Sequence, residues 1–446
     1  MQNHTERLME FVLKTQYEDI PAEAIREAKR HFLDCVGAAL AEAAQKRPQI
    51  VRKVLDDLGI GGKCRIIGSE RKASVDYAAF ANGILSFTIC YDDSGPSHPS
   101  VTIVPTLLSV GDWRHLSGKE ILTAQVLAYD VFQRLNSATR EAWEMRKRGW
   151  HPTGFFGAVT SAAICAKLLG FNLDKSVQAV SIASTMGGGL SQSIGNMGMG
   201  LHAGTACRNG INAAGLAEHG FICDADPLTG RFGLLDALCG PGEYDADALT
   251  RDLGKPFRVL EPGISIKPYP NCWAHHKVYD SVMKLKHQYA IDPDMVEAIY
   301  VDLQTDKPTY RYTRPKTDLE ARYSVGYGIA MILLEGKLDL EQYEPECIQA
   351  EPTIRLMEKI IDTPAVGDEQ QRITIVMKDG RRYSDLRTWS KGHPHLEPLT
   401  DVELKEKYDR CAACTLGAER VKQTYDVISH LEELENVSEL MDLLVP

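Results

Sequence analysis

The residues most able to move a proton are concentrated in a few short segments. The first, residues 92–98 (DDSGPSH), joins two carboxylates to an imidazole in a stretch that Gly and Pro make irregular. Such a turn would hold His98 near Asp92 or Asp93, in an arrangement suited to general acid–base chemistry. The alternative interpretation is a solvated turn that contains a histidine by chance.

A second histidine precedes a proline at the expected start of a helix. In residues 148–154 (RGWHPTG), His151 follows an aromatic residue and stands at the entry to an alanine-rich segment. Burial and the helix N-terminus would tune its pKa there. Arg148 of the same motif could hold a substrate carboxylate through charge-assisted hydrogen bonds. Taken alone, the motif fits a structural core histidine equally well.

Residues 187–204 (GGGLSQSIGNMGMGLHAG) form a glycine-rich stretch. It lacks the GxGxxG spacing of dinucleotide-binding loops and follows helix-like rather than strand-like sequence, which argues against nucleotide binding. We expect a loop that opens a helix at about Ala203, whose free N–H groups can receive a carboxylate, with His202 beside them. Tight backbone packing is the alternative use of these glycines.

Two further segments place single polar groups in unusual surroundings. Residues 265–276 (SIKPYPNCWAHH) contain Lys267 and His276 at the expected junction of two domains, where the lysine would contact an anionic ligand or, if desolvated, act as a base. Residues 320–330 (EARYSVGYGIA) lead into an apolar helix in which the hydroxyl of Tyr327 needs a hydrogen-bond partner. Taken alone, Lys267 is a surface charge and Tyr327 is a core residue.

The elements that position these residues begin as helices. Helical periodicity starts with Pro21 at a first helical position and continues to Leu40, and residues 154–170 and 205–220 are helical segments dense in Ala, Gly, Ser and Cys. Small side chains would let those helices approach each other closely in a large buried bundle.

From about Lys255 the pattern becomes mixed. Residues 296–303 alternate with the period of a strand, residues 372–383 form a strand pair around a turn, and an N-cap region at 399–401 starts further helices. These patterns predict a mainly α fold with an α+β part. We expect an all-helical domain at residues 1–255, a smaller α+β lid domain at 256–396, and C-terminal helices at 397–446 that return to the helical domain.

The composition excludes several classes of function. Among 446 residues, 61 acidic side chains outnumber 50 basic ones, so the net charge of −11 gives no electrostatic footprint for nucleic acid or an anionic membrane. No stretch is long and apolar enough to span a membrane, and the N-terminus lacks a signal-peptide pattern, so we expect a cytoplasmic protein. An anionic substrate would need local positive charge.

Eleven cysteines are scattered along the chain, an odd number that fits reduced thiols better than a disulfide framework. Cys411 and Cys414 form the one close pair. Because no second pair or histidine at zinc-finger spacing accompanies them, we expect two thiols one turn apart on a helix rather than a metal site.

Together and in this order, the motifs resemble the 2-methylcitrate dehydratase (MmgE/PrpD) family. The resemblance is carried by Asp-Asp…His-Pro-Ser, Gly-Trp-His-Pro-Thr-Gly, Leu-His-Ala-Gly, Lys-Pro-Tyr-Pro-Asn-Cys…His and Ala-Arg-Tyr-Ser…Tyr, and it covers nearly the whole chain. It implies a large helical domain with a smaller α+β lid, a homodimer, and no metal or organic cofactor. Known members include 2-methylcitrate dehydratase, cis-aconitate decarboxylase and iminodisuccinate epimerase, which act next to carboxylates of small polycarboxylic acids.

The resemblance also implies a set of site residues. His98, His151, Lys267 and Tyr327 would converge as catalytic groups between the helical domain and the lid. The residues assigned to substrate binding are Asp93, Ser94, Arg148, His202 and His276. The expected partner is a small anionic di- or tricarboxylate.

The chain departs from the family pattern in three informative places. Where dehydratase and decarboxylase members usually read Asp-Phe-Asp-Asp-Thr, this chain has Cys90-Tyr-Asp-Asp-Ser94, and the stretch from Ser94 to His98 is shortened. Where they usually read Lys-Pro-Leu-His-x-Gly, this chain has Met199-Gly-Leu-His-Ala-Gly204. An acid and a cation are therefore lost from the expected pocket.

These losses favour one reaction class. A proton α to a carboxylate is weakly acidic, so its removal needs a tuned base and donors that neutralise the developing charge. Dehydration also needs an acid for the departing hydroxide, whereas epimerisation needs only removal of a proton on one face and its return on the other. We therefore expect a cofactor-independent epimerase that inverts a stereocentre α to a carboxylate in an iminodisuccinate-like amino dicarboxylate. Lys267 and Tyr327, or one of the histidines, would be the opposed acid–base groups.

Two alternatives stay open. A 2-methylcitrate dehydratase-like lyase acting on a small polycarboxylic acid would use Asp93 or Ser94 in place of the missing acid. A catalytically silent paralogue that binds a carboxylate would also explain the lost polar residues, although the retention of four polar groups argues against it.

Overall fold

The first half of the chain is a succession of helices. The computed structural model describes residues 2–95, 97–302, 312–364, 367 and 370–446. The helices of this half are α1 (His4–Lys14), α2 (Ala22–Ala43), α3 (Pro48–Asp57), α4 (Val75–Thr88), α5 (Ser100–Arg114), α6 (Gly118–Ala138), α7 (Trp143–Lys147), α8 (Pro152–Leu168), α9 (Leu173–Ser184), α10 (Gly198–Glu218) and α11 (Leu234–Cys239). A hairpin of β1 (Cys64–Ile66) and β2 (Ser69–Ala73) interrupts the series.

The next part of the chain mixes helices and strands. Two short strands, β3 (Asp93–Ser94) and β4 (Ser265–Ile266), pair with each other in antiparallel fashion. A four-stranded sheet in the order β6-β5-β7-β8 follows, built from β5 (Val296–Asp302), β6 (Ile360–Thr363), β7 (Gln371–Met377) and β8 (Arg382–Arg387). The helices of this part are α12 (His276–Tyr289), α13 (Asp318–Ala321), α14 (Val325–Glu335), α15 (Pro345–Ile348) and α16 (Glu351–Met357). The predicted strand at 296–303 is confirmed over Val296–Asp302, with residue 303 outside the described residues, and the predicted strand pair at 372–383 is confirmed.

The chain ends in three helices, α17 (Asp401–Ala412), α18 (Ala418–Ser429) and α19 (Ser438–Leu443). Thr400 caps α17 through its side chain, as the sequence predicts. Lys29 of α2 donates to the carbonyl of Ser429, and the site of a missing Cβ on Gly37 lies 3.2 Å from Tyr408. The C-terminal helices therefore pack on α2.

The structure has two large apolar cores, and Ile266 of β4 belongs to the first of them. The first contains residues between 8 and 266 together with residues 399–444, and the second contains residues between 278 and 377. The predicted class, mainly α with an α+β part, is confirmed. The exact limits of the predicted domains stay a prediction. Within the described ranges, no helix is both long and apolar enough to cross a bilayer.

Glycines bring α10 very close to its neighbours. A Cβ atom on Gly204 would lie 2.4 Å from the carbonyl oxygen of Phe80 in α4, and one on Gly210 would lie 2.3 Å from Cβ of Ser161 in α8. Since no side chain fits in such gaps, only glycine allows these helices to cross at this distance. The predicted close approach of small-residue helices is confirmed.

The start of α10 differs from the expectation. The helix begins at Gly198 rather than near Ala203, because the side chain of Asn196 accepts from the Gly198 N–H and opens the helix earlier. His202 therefore lies within the helix and is buried. The free N–H groups of the helix start are not beside it, as the glycine-rich stretch had suggested.

The cysteines have free thiols, as predicted. Cys411 is buried in α17, whereas Cys414 lies just beyond the end of that helix and is exposed.

The crossing of α4 and α10 gives a first prediction. Gly204→Ala should lower the free energy of unfolding by about 2–3 kcal/mol, because the new methyl group meets the backbone of α4. Gly215→Ala, on the same helix and with no atom within 4 Å of its Cβ position, should instead raise it by about 0.5–1 kcal/mol. Urea unfolding of both variants checks this. Equal effects of the two substitutions would contradict the crossing geometry.

Candidate active site

Asp92 is the centre of a buried hydrogen-bonded cluster. Its two carboxylate oxygens accept from different partners, with Oδ1 3.1 Å from Lys267 Nζ and Oδ2 2.7 Å from His98 Nδ1. Burial disfavours the charged carboxylate, but Lys267 and His98 outweigh it and hold the pKa of Asp92 below its ordinary value. Asp92 is therefore an ionised group that orients a lysine and a histidine at the same time.

The backbone brings these residues together from distant parts of the sequence. Cys90, two residues after the end of α4, has a positive φ of 54°, so the chain turns sharply there. The next residues pair with a distant segment, and Asp93 lies opposite Ile266 in the antiparallel β3–β4 pair. Asp92 and Lys267 immediately flank this pair and therefore meet.

His98 is oriented as a candidate base. Because a carboxylate can only accept, the Nδ1–H of His98 donates to Asp92, and the carbonyl oxygen of Asp93 lies 3.1 Å from the same nitrogen. In the neutral imidazole the proton is then on Nδ1, and Nε2 is the atom that can take up a proton. The ring packs against Phe87, with 4.7 Å between the centroids.

Lys267 is held in its charged form. The side chain has no exposed surface, and its ammonium group lies 3.1 Å from Asp92 Oδ1, 3.3 Å from the carbonyl oxygen of Cys90 and 3.4 Å from Cys90 Sγ. Burial alone would lower the pKa of Lys267, but Asp92 and Cys90 raise it above its ordinary value. The role as a base that the sequence suggested is therefore corrected. This lysine is a fixed positive charge.

Two histidines form a neutral pair beside this cluster. His151 Nδ1 and His202 Nδ1 lie 3.2 Å apart, so one donates its proton to the other. Burial lowers the pKa of His151 far below its ordinary value, and the nearby His202, His98 and Arg146 add to this effect. Burial also lowers the pKa of His202, to about 4. The rings of His98 and His151 are 6.4 Å apart, which places all three imidazoles in one region.

Two sulfur atoms lie close to the hydroxyl of a buried tyrosine, and one of them, Cys90 Sγ, also contacts Lys267. The hydroxyl of Tyr323 lies 3.1 Å from Cys90 Sγ and 3.6 Å from Met199 Sδ. The side chain is almost fully buried, and burial, with Cys90 and Cys272 nearby, raises its pKa well above the ordinary value. Tyr323 is therefore a neutral proton donor at neutral pH. Two of the departures from the family pattern, Cys90 and Met199, lie next to each other here.

Tyr327 does not join the cluster, which corrects the expected convergence. Its hydroxyl donates to the carbonyl oxygen of Gln342, and its ring lies 5.5 Å from that of Tyr343 in the core of the α+β part. The position at the start of α14 buries the side chain away from Asp92. Tyr323, four residues earlier, is the tyrosine that the structure brings to Cys90.

Asp93 and Ser94 also point to structural roles. Asp93 lies 3.0 Å from His31 Nδ1 and accepts from the hydroxyl of Ser100, and it has no exposed surface. Ser94 is buried in the short strand β3, opposite Ser265. Successive side chains of an extended segment point to opposite sides, so only Asp92 of the acidic pair can face Lys267.

His276 is buried near Lys267. Its Nε2 lies 3.3 Å from the carbonyl oxygen of Asn271, so Nε2–H donates there, and within the described chain Nδ1 has no hydrogen-bond partner. Burial and the charge of Lys267 lower its pKa far below the ordinary value. Nδ1 of a neutral His276 is therefore a buried acceptor without a partner among the described residues.

The two arginines near His151 differ in position. Arg148, the residue singled out by the sequence, is exposed like Arg146, and its guanidinium lies against Gly240. Arg146, two residues earlier, is the arginine whose charge acts on the pKa of both His151 and Cys272. Arg146 is therefore the arginine whose charge acts on the region around His151.

Sequence reasoning named Asp92 and Asp93 as alternative partners of His98, and it missed Tyr323 and Arg146. The alternation rule for extended chains was the available signal for Asp92, but the strand itself is too short to be visible in the sequence. In the part of the chain that the structure covers, no three His, Cys, Asp or Glu side chains are grouped so that they could hold a metal ion.

Comparison with known proteins identifies the family. A family model described as the MmgE/PrpD N-terminal domain matches residues 6–247, and one described as the MmgE/PrpD C-terminal domain matches residues 269–433. The chain belongs to the MmgE/PrpD family. The two matches confirm the family that the sequence motifs predict.

Curated relatives align with almost the whole chain. The protein is 27% identical to the cis-aconitate decarboxylase-like protein oryM of Aspergillus oryzae, over 99% of this chain and 97% of the relative. It is 26% identical to the human cis-aconitate decarboxylase, over 94% of this chain and 90% of the relative, and 28% identical to the mouse cis-aconitate decarboxylase, over 94% and 89%. These relatives are lyases by name, which fits the lyase alternative better than the epimerase.

The two tyrosines give a second prediction. Tyr323→Phe should lower kcat by about 100-fold with little change in stability, because it removes a proton donor beside Lys267. Tyr327→Phe should keep activity within about threefold but lose about 1 kcal/mol of stability, because it leaves the Gln342 carbonyl unpaired. Steady-state kinetics and thermal unfolding of both variants check this. A large loss of kcat in Tyr327→Phe with near wild-type kcat in Tyr323→Phe would show that Tyr327, not Tyr323, is the proton donor of the site.

The buried histidine pair gives a third prediction. His202 stays neutral in the folded protein down to about pH 4, whereas its unfolded form takes up a proton near pH 6.5. The free energy of unfolding should therefore fall as the pH drops from 6.5 toward 4. In His202→Asn this fall should be shallower, by at most about 1.4 kcal/mol per pH unit. Urea unfolding at several pH values measures both slopes, with His219→Asn, at the exposed end of the same helix, as the control.

Proposed function

We propose that this MmgE/PrpD protein is an acid–base enzyme of the lyase type that acts beside a carboxylate of a small polycarboxylic acid. The observation that carries the proposal is the Asp92 cluster, in which one ionised carboxylate holds a charged lysine and orients a histidine. The names of the curated relatives support the lyase class and the carboxylate substrate.

Each group of the cluster has a distinct part in the proposed reaction. Nε2 of His98 removes a proton from the carbon next to the substrate carboxylate, and Asp92 stabilises the imidazolium that forms. The three N–H groups of Lys267 are taken by Asp92 and Cys90, so its ammonium acts on the developing negative charge through its electric field rather than by a hydrogen bond. The hydroxyl of Tyr323 is the donor on the other side of the lysine.

The neutral histidine pair suits an anionic substrate in a crowded site. Because both imidazoles are neutral, His151 and His202 can donate and accept hydrogen bonds without adding a charge to the site. His276 adds a buried acceptor at Nδ1. Together these groups can bind the uncharged parts of a substrate, while the carboxylate needs a cation whose N–H groups are not already taken, as those of Lys267 are.

A second candidate is the epimerase that the sequence favoured, acting on an iminodisuccinate-like amino dicarboxylate. The observation in its favour is the pair of sulfur-containing side chains that contact the hydroxyl of Tyr323. Cys90 and Met199 stand at positions where dehydratases and decarboxylases usually have an acid and a lysine. A neutral tyrosine is sufficient to return a proton to carbon, whereas a departing hydroxide needs a stronger acid. A dehydratase and an epimerase share the removal of the α proton and differ in what the carbanion does next. A decarboxylase instead forms the carbanion by releasing CO2 and then needs a proton donor.

Proton NMR in heavy water distinguishes the candidates. The purified protein is incubated separately with cis-aconitate, 2-methylcitrate and single stereoisomers of iminodisuccinate. Loss of carboxylate from cis-aconitate, or an alkene formed from 2-methylcitrate, supports the lyase. Deuterium at the α carbon with inversion and no alkene supports the epimerase. If none of the acids changes, both proposals fail and the catalytically silent paralogue is favoured.

The arginines give a fourth prediction. Arg146→Gln should raise KM by about 10-fold or more, with a smaller change in kcat, because it removes a charge-assisted contact to a substrate carboxylate. Arg148→Gln, which changes an exposed arginine against Gly240, should leave KM within about twofold of the wild type. Steady-state kinetics on the active substrate measures both. If KM rises only in Arg148→Gln, Arg148 rather than Arg146 contacts the substrate carboxylate.

A further inference from the structure

A second buried lysine lies directly behind the candidate site. Lys407 is on the C-terminal helix α17, and its ammonium group lies 2.7 Å from the carbonyl oxygen of Tyr91 and 2.8 Å from the carbonyl oxygen of Lys267. The third neighbour is a carboxylate oxygen of Asp34, at 2.5 Å. Both charged side chains are almost completely buried.

The two carbonyl groups that accept from Lys407 lie on the two chain segments that carry the Asp92–Lys267 ion pair. Tyr91 is the residue before Asp92, and Lys267 carries the ammonium that Asp92 binds. One charged group therefore ties together two backbone segments that are far apart in the sequence. We propose that Lys407, held by Asp34, is a positioning residue that sets the geometry of Asp92 and Lys267.

The contacts of Lys407 are suited to positioning rather than to proton transfer. An ammonium group has three N–H donors, and Tyr91, Lys267 and Asp34 supply an acceptor for each. The same nitrogen lies 4.1 Å from the ring centroid of Tyr91, which restricts it further. No proton of Lys407 is left for a substrate, so its effect on the reaction passes through the backbone.

Stability alone is a weak reason for this arrangement. A buried ion pair gains little over well-packed apolar side chains, because both charges must leave water. Apolar groups here would leave the carbonyls of Tyr91 and Lys267 without a donor. Asp34 also lies one helical turn after His31, which contacts Asp93, so α2 supports both the acidic segment and the lysine segment.

The test compares Lys407→Met and Lys407→Arg with a control on the same helix. Lys405→Met is the control, because Lys405 is partly exposed and pairs with Asp409 four residues later. Its ammonium also lies over the ring of Tyr425, and within the described chain it contacts neither Tyr91 nor Lys267. The turnover readout rests on the proposed function. We expect Lys407→Met to lower kcat by about 100-fold while KM changes less than about threefold, because a small displacement of acid–base groups slows the chemical step. Lys407→Arg should recover most of kcat, and Lys405→Met should match the wild type.

If Lys407→Met fails to fold, the double variant Asp34→Asn/Lys407→Met replaces it, since it removes both buried charges together. A folded single or double variant with wild-type kcat would overturn the proposal. So would a loss of kcat in Lys405→Met equal to that in Lys407→Met, because the effect would then belong to the helix as a whole.

A measurement without substrate separates this proposal from the proposed function. Reductive methylation with formaldehyde and borohydride, followed by peptide mass spectrometry, reports how readily the amine of Lys267 reacts. If Lys407 fixes Lys267 against Asp92, labelling of Lys267 should increase at least severalfold in Lys407→Met and stay unchanged in Lys405→Met. Equal labelling in all variants would overturn the positioning role. Absence of turnover in the wild type would overturn only the proposed function.

Discussion

A charged lysine without exposed surface is the constraint on which the candidate site depends. Removing an ammonium from water is costly unless a carboxylate and further acceptors replace the solvent. Lys267 meets this requirement through Asp92 and through the carbonyl and sulfur of Cys90. Asp92 is itself buried, so its second oxygen also needs a donor, and His98 supplies it. The charge of one lysine thereby determines the place and the orientation of the candidate base.

The rest of the fold holds this small charged group in an otherwise neutral region. Glycines at the crossings of α10 bring His202 close to His151, and burial keeps both imidazoles uncharged. The hydroxyl of Tyr323 lies near the sulfur atoms of Cys90 and Met199, and burial keeps it protonated. A low local dielectric strengthens the attraction between Lys267 and an anionic substrate, because few other charges compete with it.

Much of this protein could be predicted from its sequence, because local patterns control it. The strand at Val296–Asp302, the cap at Thr400 and the small-residue helices all follow from side-chain periodicity, capping chemistry and residue size. The motifs also indicated the family, and His98, His151 and Lys267 were recognised as groups that meet.

Only the tertiary structure decided which neighbours of these residues belong to the site. Asp92 and Asp93 are adjacent, but the two-residue strand that turns one toward Lys267 and the other toward His31 forms only when β4 pairs with it. Tyr323 and Tyr327 are four residues apart, and burial in a different core separates them. Lys407 could not be found from local pattern, since its partners come from three distant segments. Sequence alone therefore determined the elements and the chemical inventory, whereas long-range pairing and burial decided the direction and the charge of each group.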